Sequence, residues 1–277
     1  MLLAPALVLL SVFLALPMIS VFRASFYPGS SSQGATGISL MQYARFFTSN
    51  FYISVLRETI LYALTVSVSC LILGFPVGYS LARQPPEKRR RRMILVIVPL
   101  TLSLVVVVFG WLVFLGRQGL VNNLLISLGL VTSPVQLLFN RTAVLIVLIQ
   151  QFLPFAILSI MNVVLQIDPV LEQASTSLRG TPIRTFTRVV IPLAAPGILS
   201  GFTLVFVMTV SAFVTPRLVG GARTHMVGGL VYDEVMSTLN WPFAAAMSFI
   251  LLAVAVGVLV AVNAVIVRRV ARGLHAS

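Results

Sequence analysis

Long apolar runs constrain the fold of this chain more than any other feature of its sequence. Stretches of about 20 apolar residues recur along it, and a helix of that length spans a hydrocarbon core of roughly 30 Å. Hydrophobic residues make up 58% of the 277 residues and charged residues only 9%. No window outside the apolar runs is long enough to bury a core of its own, so any soluble machinery is expected on other chains.

The runs predict an all-α, polytopic membrane protein with one transmembrane domain over residues 1–277. The first run lacks a basic start and a cleavage site of small residues, so we expect it to be retained and not removed as a signal peptide. Cys70 is the single cysteine, which excludes an intrachain disulfide. Six spans are predicted at about residues 2–22, 53–82, 93–116, 143–167, 197–216 and 244–267.

The net charge of +13 is explained better by membrane topology than by nucleic-acid binding, because the basic residues flank the spans and form no aromatic-studded face. With both termini inside, the inner connections hold 12 arginines and lysines and the outer ones 7. The positive-inside rule then places residues 168–196 in the cytoplasm. The basic run 88–92 supplies much of this bias and is interpreted as a topology anchor that contacts anionic lipids, with no catalytic role.

Residues 168–196, here called the elbow, form a polar interruption that carries start signals for two short helices. Asp168 is expected to be the N-cap, Pro169 suits the first helical position, and Glu172 favours the positive end of the helix dipole. The first helix is expected to end at about Arg179, with Gly180 in the left-handed conformation that closes it.

A second helix is expected to follow at once. Thr181 can cap it, Pro182 can open it, and Pro192 and Pro196 are expected to break it. Apolar Ile183 and Phe186 lie beside the basic Arg184 and Arg188. Such an amphipathic helix can either lie on lipid headgroups or fill a groove on a soluble partner, and its periodicity does not choose between the two.

The elbow resembles the cytoplasmic signature of inner-membrane permease subunits of type I binding-protein-dependent ABC importers. That signature runs Glu-Ala-Ala, three residues, Gly, nine residues, Ile-x-Leu-Pro. Here residues 173–175 fall on the first three slots, preceded by Glu172, and Val189, Ile191 and Pro192 fall on the last motif. The glycine slot falls on Arg179 and the glycine follows at Gly180, which we expect to supply the turn.

Segments 117–130, 211–221 and 239–252 also look like the corresponding parts of such permeases, closest to the polyamine branch, whose relatives carry opines, thiamine or ferric iron. The resemblance implies a six-span permease in the bacterial inner membrane, with both termini cytoplasmic. It also implies a second, different permease subunit, two cytoplasmic ATP-binding subunits and a periplasmic or extracellular solute-binding protein. ATP and magnesium would lie on the ATP-binding subunits, and no cofactor is expected on this chain.

In this family the second elbow helix inserts into a groove of the ATPase, so that closure of the ATP-bound dimer moves the membrane helices as rigid bodies. The alternative for each elbow residue is ordinary helix capping or lipid contact. The docking candidates that the resemblance implies are Glu172, Gln173, Ala174, Gly180, Thr181, Pro182, Arg184 and Phe186.

The solute path is sought among polar residues within or beside the spans, because a polar side chain left in lipid is costly. Each candidate can equally serve interhelical hydrogen bonding. Glu58, also on the outer side, could pair with Arg57 or Arg223. The path candidates are Gln150, Gln151, Asn162, Ser211 and Thr215, with Asp233 and Glu234 beside Tyr232 and Trp241 in the outer connection before the last span.

The expected cargo is a small polar solute, either a polyamine or a related amine or opine-like compound. Carboxylates and aromatic faces suit a polycation, but seven arginines on the same side fit an anionic or zwitterionic cargo, or acidic patches on a binding protein, equally well. The binding protein is expected to set most of the specificity.

Catalytic and metal-binding patterns are absent from the sequence. His225 and His275 are far apart, and neither a phosphate-binding glycine loop nor a nucleophile triad is present, so ATP hydrolysis is expected on a separate chain. An integral-membrane enzyme acting on lipid-linked substrates is the alternative, but it would need paired acids or histidines at the membrane interface, and the only adjacent acids, Asp233 and Glu234, lie on the face opposite the basic loops. A lone channel or carrier would leave the elbow unexplained.

Overall fold

A computed structural model describes residues 4–28, 37–221 and 224–275, and the described part of the chain is helical without strands. The all-α prediction is therefore confirmed. The helices are α1 (Ala4–Ala24), α2 (Met41–Thr48), α3 (Asn50–Ala82), α4 (Pro86–Thr101), α5 (Leu104–Leu115), α6 (Leu120–Ser127), α7 (Arg141–Val164), α8 (Pro169–Ser177), α9 (Pro182–Thr185), α10 (Ile191–Leu193), α11 (Ala195–Val210), α12 (Val214–Gly220), α13 (Val227–Met236) and α14 (Trp241–His275). A π-helical turn, Phe186–Val190, joins α9 to α10.

Four stretches within the described ranges are long and apolar enough to cross a membrane, at Asn50–Ala82, Leu104–Ser127, Arg141–Val164 and Trp241–Ala264. A fifth is obtained if Pro182–Leu193 and Ala195–Val210, which are bent by 65°, are counted as one span. The first predicted span coincides with α1, in which Ser11–Ala24 is a shorter apolar helix.

The third and fifth predicted spans are not continuous helices. In the predicted span 93–116, α4 ends at Thr101 and α5 begins at Leu104, with Leu102 and Ser103 extended between them. Pro99 lies in the last turn of α4, where its missing N–H weakens the helix. The predicted span 197–216 is likewise divided, because α11 ends at Val210 and α12 begins at Val214.

The core is formed mainly by α3, α7 and α11, which pack along much of their length. Glycines allow this close approach: a Cβ added at Gly78 of α3 would lie 2.9 Å from the Ile157 carbonyl oxygen of α7, and one at Gly197 of α11 would lie 2.9 Å from the Val163 Cβ. Buried Val66, Leu148 and Phe206 fill the space between the helices, while the outward faces of α1, α4 and α5 expose apolar side chains.

Candidate functional site

The elbow contains the two capped helices that its sequence predicts. The Asp168 carboxylate accepts a hydrogen bond from the Val170 N–H at 2.9 Å, and the Thr181 hydroxyl accepts one from the Arg184 N–H at 3.3 Å. Both helices have proline in their first turn. Each cap satisfies a backbone donor that the helix itself leaves unpaired, so both starts are fixed locally.

The turn between the helices differs from the prediction that Gly180 is the left-handed residue. Arg179 has φ 57° and takes that role, in the slot that the family signature gives to glycine. The Arg179 N–H donates to the Thr176 carbonyl and the Gly180 N–H to the Ser175 carbonyl, both at 3.0 Å, which is the Schellman pattern. A Cβ at Gly180 would lie 2.6 Å from the Ser175 carbonyl oxygen, so this glycine is needed for close approach and not for its φ.

The second elbow helix continues further than a proline break at Pro192 predicts. Helical structure runs from Pro182 to Leu193, and the π-helical turn lies directly before Pro192, with the Ile191 N–H donating to the Phe186 carbonyl. Because Pro192 has no N–H to donate, this local widening accommodates it without ending the helix. The chain then bends by 65° into α11, in whose first turn Pro196 lies.

An ion pair attaches the first elbow helix to the end of α3. Glu172 Oε1 accepts from Arg83 Nη2 at 2.5 Å and from Arg83 Nε at 2.9 Å, and Tyr79 Oη donates to Glu172 Oε2 at 2.6 Å. Arg83 Nη1 also donates to the Ile167 carbonyl at 3.0 Å. The two charged side chains are only 20% and 19% exposed, so water screens this contact far less than a surface pair.

Aromatic packing attaches the second elbow helix to the same end of α3. The Phe186 ring lies edge-on to Phe75 and Tyr79, with ring centroids 5.2 and 5.8 Å apart. Ser175 Oγ and Thr185 Oγ1, 2.8 Å apart, hydrogen-bond the two elbow helices to each other. The elbow is therefore one unit with contacts to a long membrane helix from both of its halves.

Away from the contacts with α3, the elbow exposes apolar side chains with basic neighbours. The Leu178 side chain is 84% exposed and that of Ile183 is 76% exposed. A cavity of about 560 Å³ lies between the two elbow helices. It is lined by Leu171, Ala174, Ser175, Leu178, Gly180, Arg184, Arg188, Val189 and Leu193.

The eight docking candidates divide between these two sides. Glu172 and Phe186 face α3, Gly180 lies half-buried in the turn, and the other five are exposed, namely Gln173, Ala174, Thr181, Pro182 and Arg184. The sequence interpretation missed Tyr79 and Arg83 as their partners. The available signal was their spacing of four residues at the end of an apolar run, which places both on one helix face.

The predicted path residues differ in their contacts. Gln150 accepts a hydrogen bond from Trp111 Nε1 at 3.0 Å and Gln151 accepts one from Thr215 Oγ1 at 3.0 Å, so both link α7 to neighbouring helices. The exposed Ser211 hydroxyl bonds carbonyls of its own helix, and Asn162 is exposed.

The acidic residues on the predicted outer side all have partners. Asp233 pairs with Arg217 at 2.5 Å, and Glu234 accepts from Thr238 Oγ1 at 2.6 Å. Glu58 pairs with Arg141 and not with Arg57, one of its two predicted partners; the other, Arg223, lies outside the described residues. Across the ranges that the structure describes, no group of three His, Cys, Asp or Glu residues could hold a metal ion.

Comparison with known proteins agrees with this architecture. Residues 74–274 match the family described as the binding-protein-dependent transport system inner membrane component. The spermidine/putrescine transport system permease protein PotB of Escherichia coli K12 is 30% identical over 243 residues, covering 87% of this chain and 88% of that protein. PotB of Haemophilus influenzae is 29% identical over 237 residues, covering 85% and 82% of the two chains.

Solved structures share the fold. A chain of a bacterial ABC transporter involved in the import of the acidic polysaccharide alginate superposes with a TM-score of 0.68 at 20% identity, covering 96% of this chain and 94% of that chain. A chain of the MetNI methionine ABC transporter gives a TM-score of 0.55 at 17% identity, covering 80% and 95%. The family match spans most of the sequence, and the relatives are named as transport components. This chain therefore belongs to the binding-protein-dependent inner membrane component family and is a multi-pass inner-membrane subunit of an ABC importer.

Proposed function

We propose that this chain is one of two permease subunits of an importer for small organic polycations and that its elbow docks on a cytoplasmic ATP-binding subunit. The observation that carries this proposal is the two-sided elbow. One side is fixed to α3 through Glu172 and Phe186, and the other exposes Leu178 and Ile183 beside basic side chains. An attached unit with an unpartnered apolar face is suited to receive a force and pass it on.

The attachment explains how movement at the elbow reaches the membrane. A groove that holds Leu178 and Ile183 buries apolar surface worth about 25 cal/mol per Å², which keeps the elbow in the groove while the ATPase moves. Because Arg83 and Tyr79 lie at the end of α3, displacement of Glu172 pulls on a helix of 33 residues. α3 in turn packs on α7 and α11, so the three helices shift together.

Lipid contact is the competing role for the elbow face, and the α3 attachment favours the ATPase. A helix that only rests on headgroups needs no fixed orientation relative to a spanning helix, whereas the Glu172 contacts fix it at three donor atoms. We therefore assign both termini and the elbow to the cytoplasm, in line with the larger number of basic residues on that side.

The proposed assembly contains this chain, a second and different permease subunit, two ATP-binding subunits and an external solute-binding protein. ATP and magnesium would bind to the ATP-binding subunits. The long similarity to permeases named for spermidine and putrescine supports a polyamine as cargo. Since Glu58 and Asp233 are both paired with arginines, we assign the main selectivity to the binding protein.

The test is purification of the tagged chain from its native membrane, followed by reconstitution with the partner subunits that accompany it. We expect an ATP-binding subunit to copurify, and ATP-dependent uptake of spermidine or putrescine when the binding protein is added. A sugar acid such as an alginate oligosaccharide serves as the anionic comparison. Purification without any ATP-binding subunit would contradict the subunit assignment, and uptake of the anionic solute alone would contradict the cargo.

A further inference from the structure

The membrane helix that follows the elbow is interrupted before it can finish a crossing. α11 has 16 residues, or about 24 Å at 1.5 Å per residue, which is shorter than a hydrocarbon core of roughly 30 Å. The chain leaves the helix over residues 211–213 and resumes helical structure in α12. Irregular backbone at membrane depth is tolerated where it is buried in protein or lines a cavity, and broken helices often mark solute sites in transporters.

A cavity of about 290 Å³ lies beside this interruption, between α12 and α13. Thr224 lines it and is 4% exposed, and its hydroxyl lies close to the Tyr62 hydroxyl of α3. Charged and polar side chains therefore line the cavity together with apolar ones. The cavity is lined by Phe213, Pro216, Arg217, Gly221, Thr224, His225, Met226, Gly229, Leu230 and Asp233.

Four side chains at or beside this cavity, here called the cation cluster, hold one positive charge, that of Arg217; the other three are Asp233, Tyr232 and Phe213. Arg217 Nη1 donates to Asp233 Oδ1 at 2.5 Å, and the Arg217 Cζ lies 5.1 Å from the centroid of the Tyr232 ring. Tyr232 is stacked on Phe213, with centroids 5.3 Å apart and an angle of 17° between the rings. A carboxylate beside an aromatic face is the environment that binds an organic ammonium or guanidinium group.

We propose that the cation cluster is a binding site for an alkylammonium group of the cargo and that Arg217 is a resident cation which the cargo displaces. The Arg217 side chain is 49% exposed and that of Asp233 44%, so the arginine can leave and the solute can enter without opening the core. Once displaced, Arg217 no longer neutralises Asp233, and the ammonium takes its place against Tyr232. This inference rests on the proposed function, in which the cargo is an organic cation.

The test measures equilibrium binding of radiolabelled spermidine to the reconstituted complex of permease and ATP-binding subunits, without the binding protein. Asp233→Asn should weaken binding about tenfold, because a charged hydrogen bond is lost. Arg217→Gln should strengthen binding several-fold, since the competing cation is gone, and Arg217→Lys should resemble the natural protein. If the ion pair had only a structural role, Asp233→Asn and Arg217→Gln would change spermidine affinity in the same direction. Opposite changes in affinity therefore distinguish a binding site from a structural ion pair.

Glu58→Gln is the matched control, because it breaks another ion pair, that with Arg141, which contains no residue of the cation cluster. It should leave spermidine binding unchanged. The proposed binding site is overturned if Asp233→Asn binds spermidine as tightly as the natural protein, or if Asp233→Asn and Arg217→Gln both weaken binding. It is also overturned if none of the proteins binds spermidine. Uptake of spermidine by the complete importer is measured in parallel. If the natural importer takes up spermidine and Asp233→Asn binds it as the natural protein does, the cation cluster alone is overturned. If the variants change binding in the predicted directions but the natural importer takes up no spermidine, the proposed cargo alone is overturned.

Discussion

Removing the Glu172 carboxylate should detach the elbow from α3 and uncouple ATP hydrolysis from transport. In the natural chain this carboxylate accepts hydrogen bonds from Arg83 Nε, Arg83 Nη2 and Tyr79 Oη. Hydrogen bonds to charged groups contribute about 1.5–3 kcal/mol each, and loss of one partner of a buried ion pair costs about 3–5 kcal/mol. Because both side chains are about one-fifth exposed, we take the lower part of that range, about 3 kcal/mol, for Glu172→Ala.

At about 1.4 kcal/mol per factor of ten, this loss lowers the ratio of attached to detached elbow roughly a hundredfold. Hydrogen exchange followed by mass spectrometry should therefore show much faster exchange of the α8 amides in Glu172→Ala. In proteoliposomes the same variant should hydrolyse ATP with little solute uptake. Glu172→Gln keeps the shape of the side chain and loses its charge, so its α8 exchange rate and its solute uptake should lie between those of Glu172→Ala and the natural protein.

The matched control is Glu87→Gln, which removes a carboxylate from an exposed position in the first turn of α4, the helix that follows α3. It should leave both measurements unchanged. If Glu172→Ala shows the same amide exchange rates in α8 as the natural protein, and transports the same amount of solute per ATP hydrolysed, this ion pair does not transmit movement.

Three pairs of substitutions test the packing around the elbow and the core. Gly180→Ala should destabilise the turn and reduce transport, because its Cβ would lie 2.6 Å from a carbonyl oxygen of α8. Arg179→Gly should instead raise the thermal midpoint slightly, because it relieves a left-handed conformation that costs about 1–2 kcal/mol. Phe186→Asp should abolish coupled uptake while insertion, followed by membrane fractionation, persists; Phe186→Leu should retain most uptake, because an apolar contact with α3 remains. Gly78→Ala should lower the thermal midpoint by forcing α3 from α7, at a cost of about 1–3 kcal/mol, and Gly110→Ala, with open space around it, should not.

Local capping chemistry explains why much of the elbow could be predicted from the sequence. Asp168 and Thr181 cap the two helices as expected, because a side-chain oxygen at that position satisfies nearby backbone donors whatever the rest of the fold does. The left-handed residue could not be assigned correctly in this way. Glycine is the usual choice, but the tight approach of Gly180 to Ser175 sets the register of the turn and leaves Arg179 in the left-handed position.

Contacts distant in sequence account for most of what could not be predicted. Arg83 and Glu172 are 89 residues apart, and only the packing of α3 against α7 brings them together. Similarly, Glu58 meets Arg141 across the same helix pair, and its nearer neighbour Arg57 is not its partner. Periodicity and charge counting find helices and sides of the membrane, but they contain no information on which helix faces meet.

Site-specific photo-crosslinking at Ile183 tests the central claim most directly. A photoreactive amino acid at Ile183, which is 76% exposed on the elbow, should crosslink to the ATP-binding subunit in native membranes. The same amino acid at Leu95, also 76% exposed but on α4, serves as the control and should yield no such product. A crosslink to the ATP-binding subunit at Ile183 alone is the result expected of a docking elbow, whereas equal labelling at both positions, or lipid adducts alone at Ile183, would contradict it.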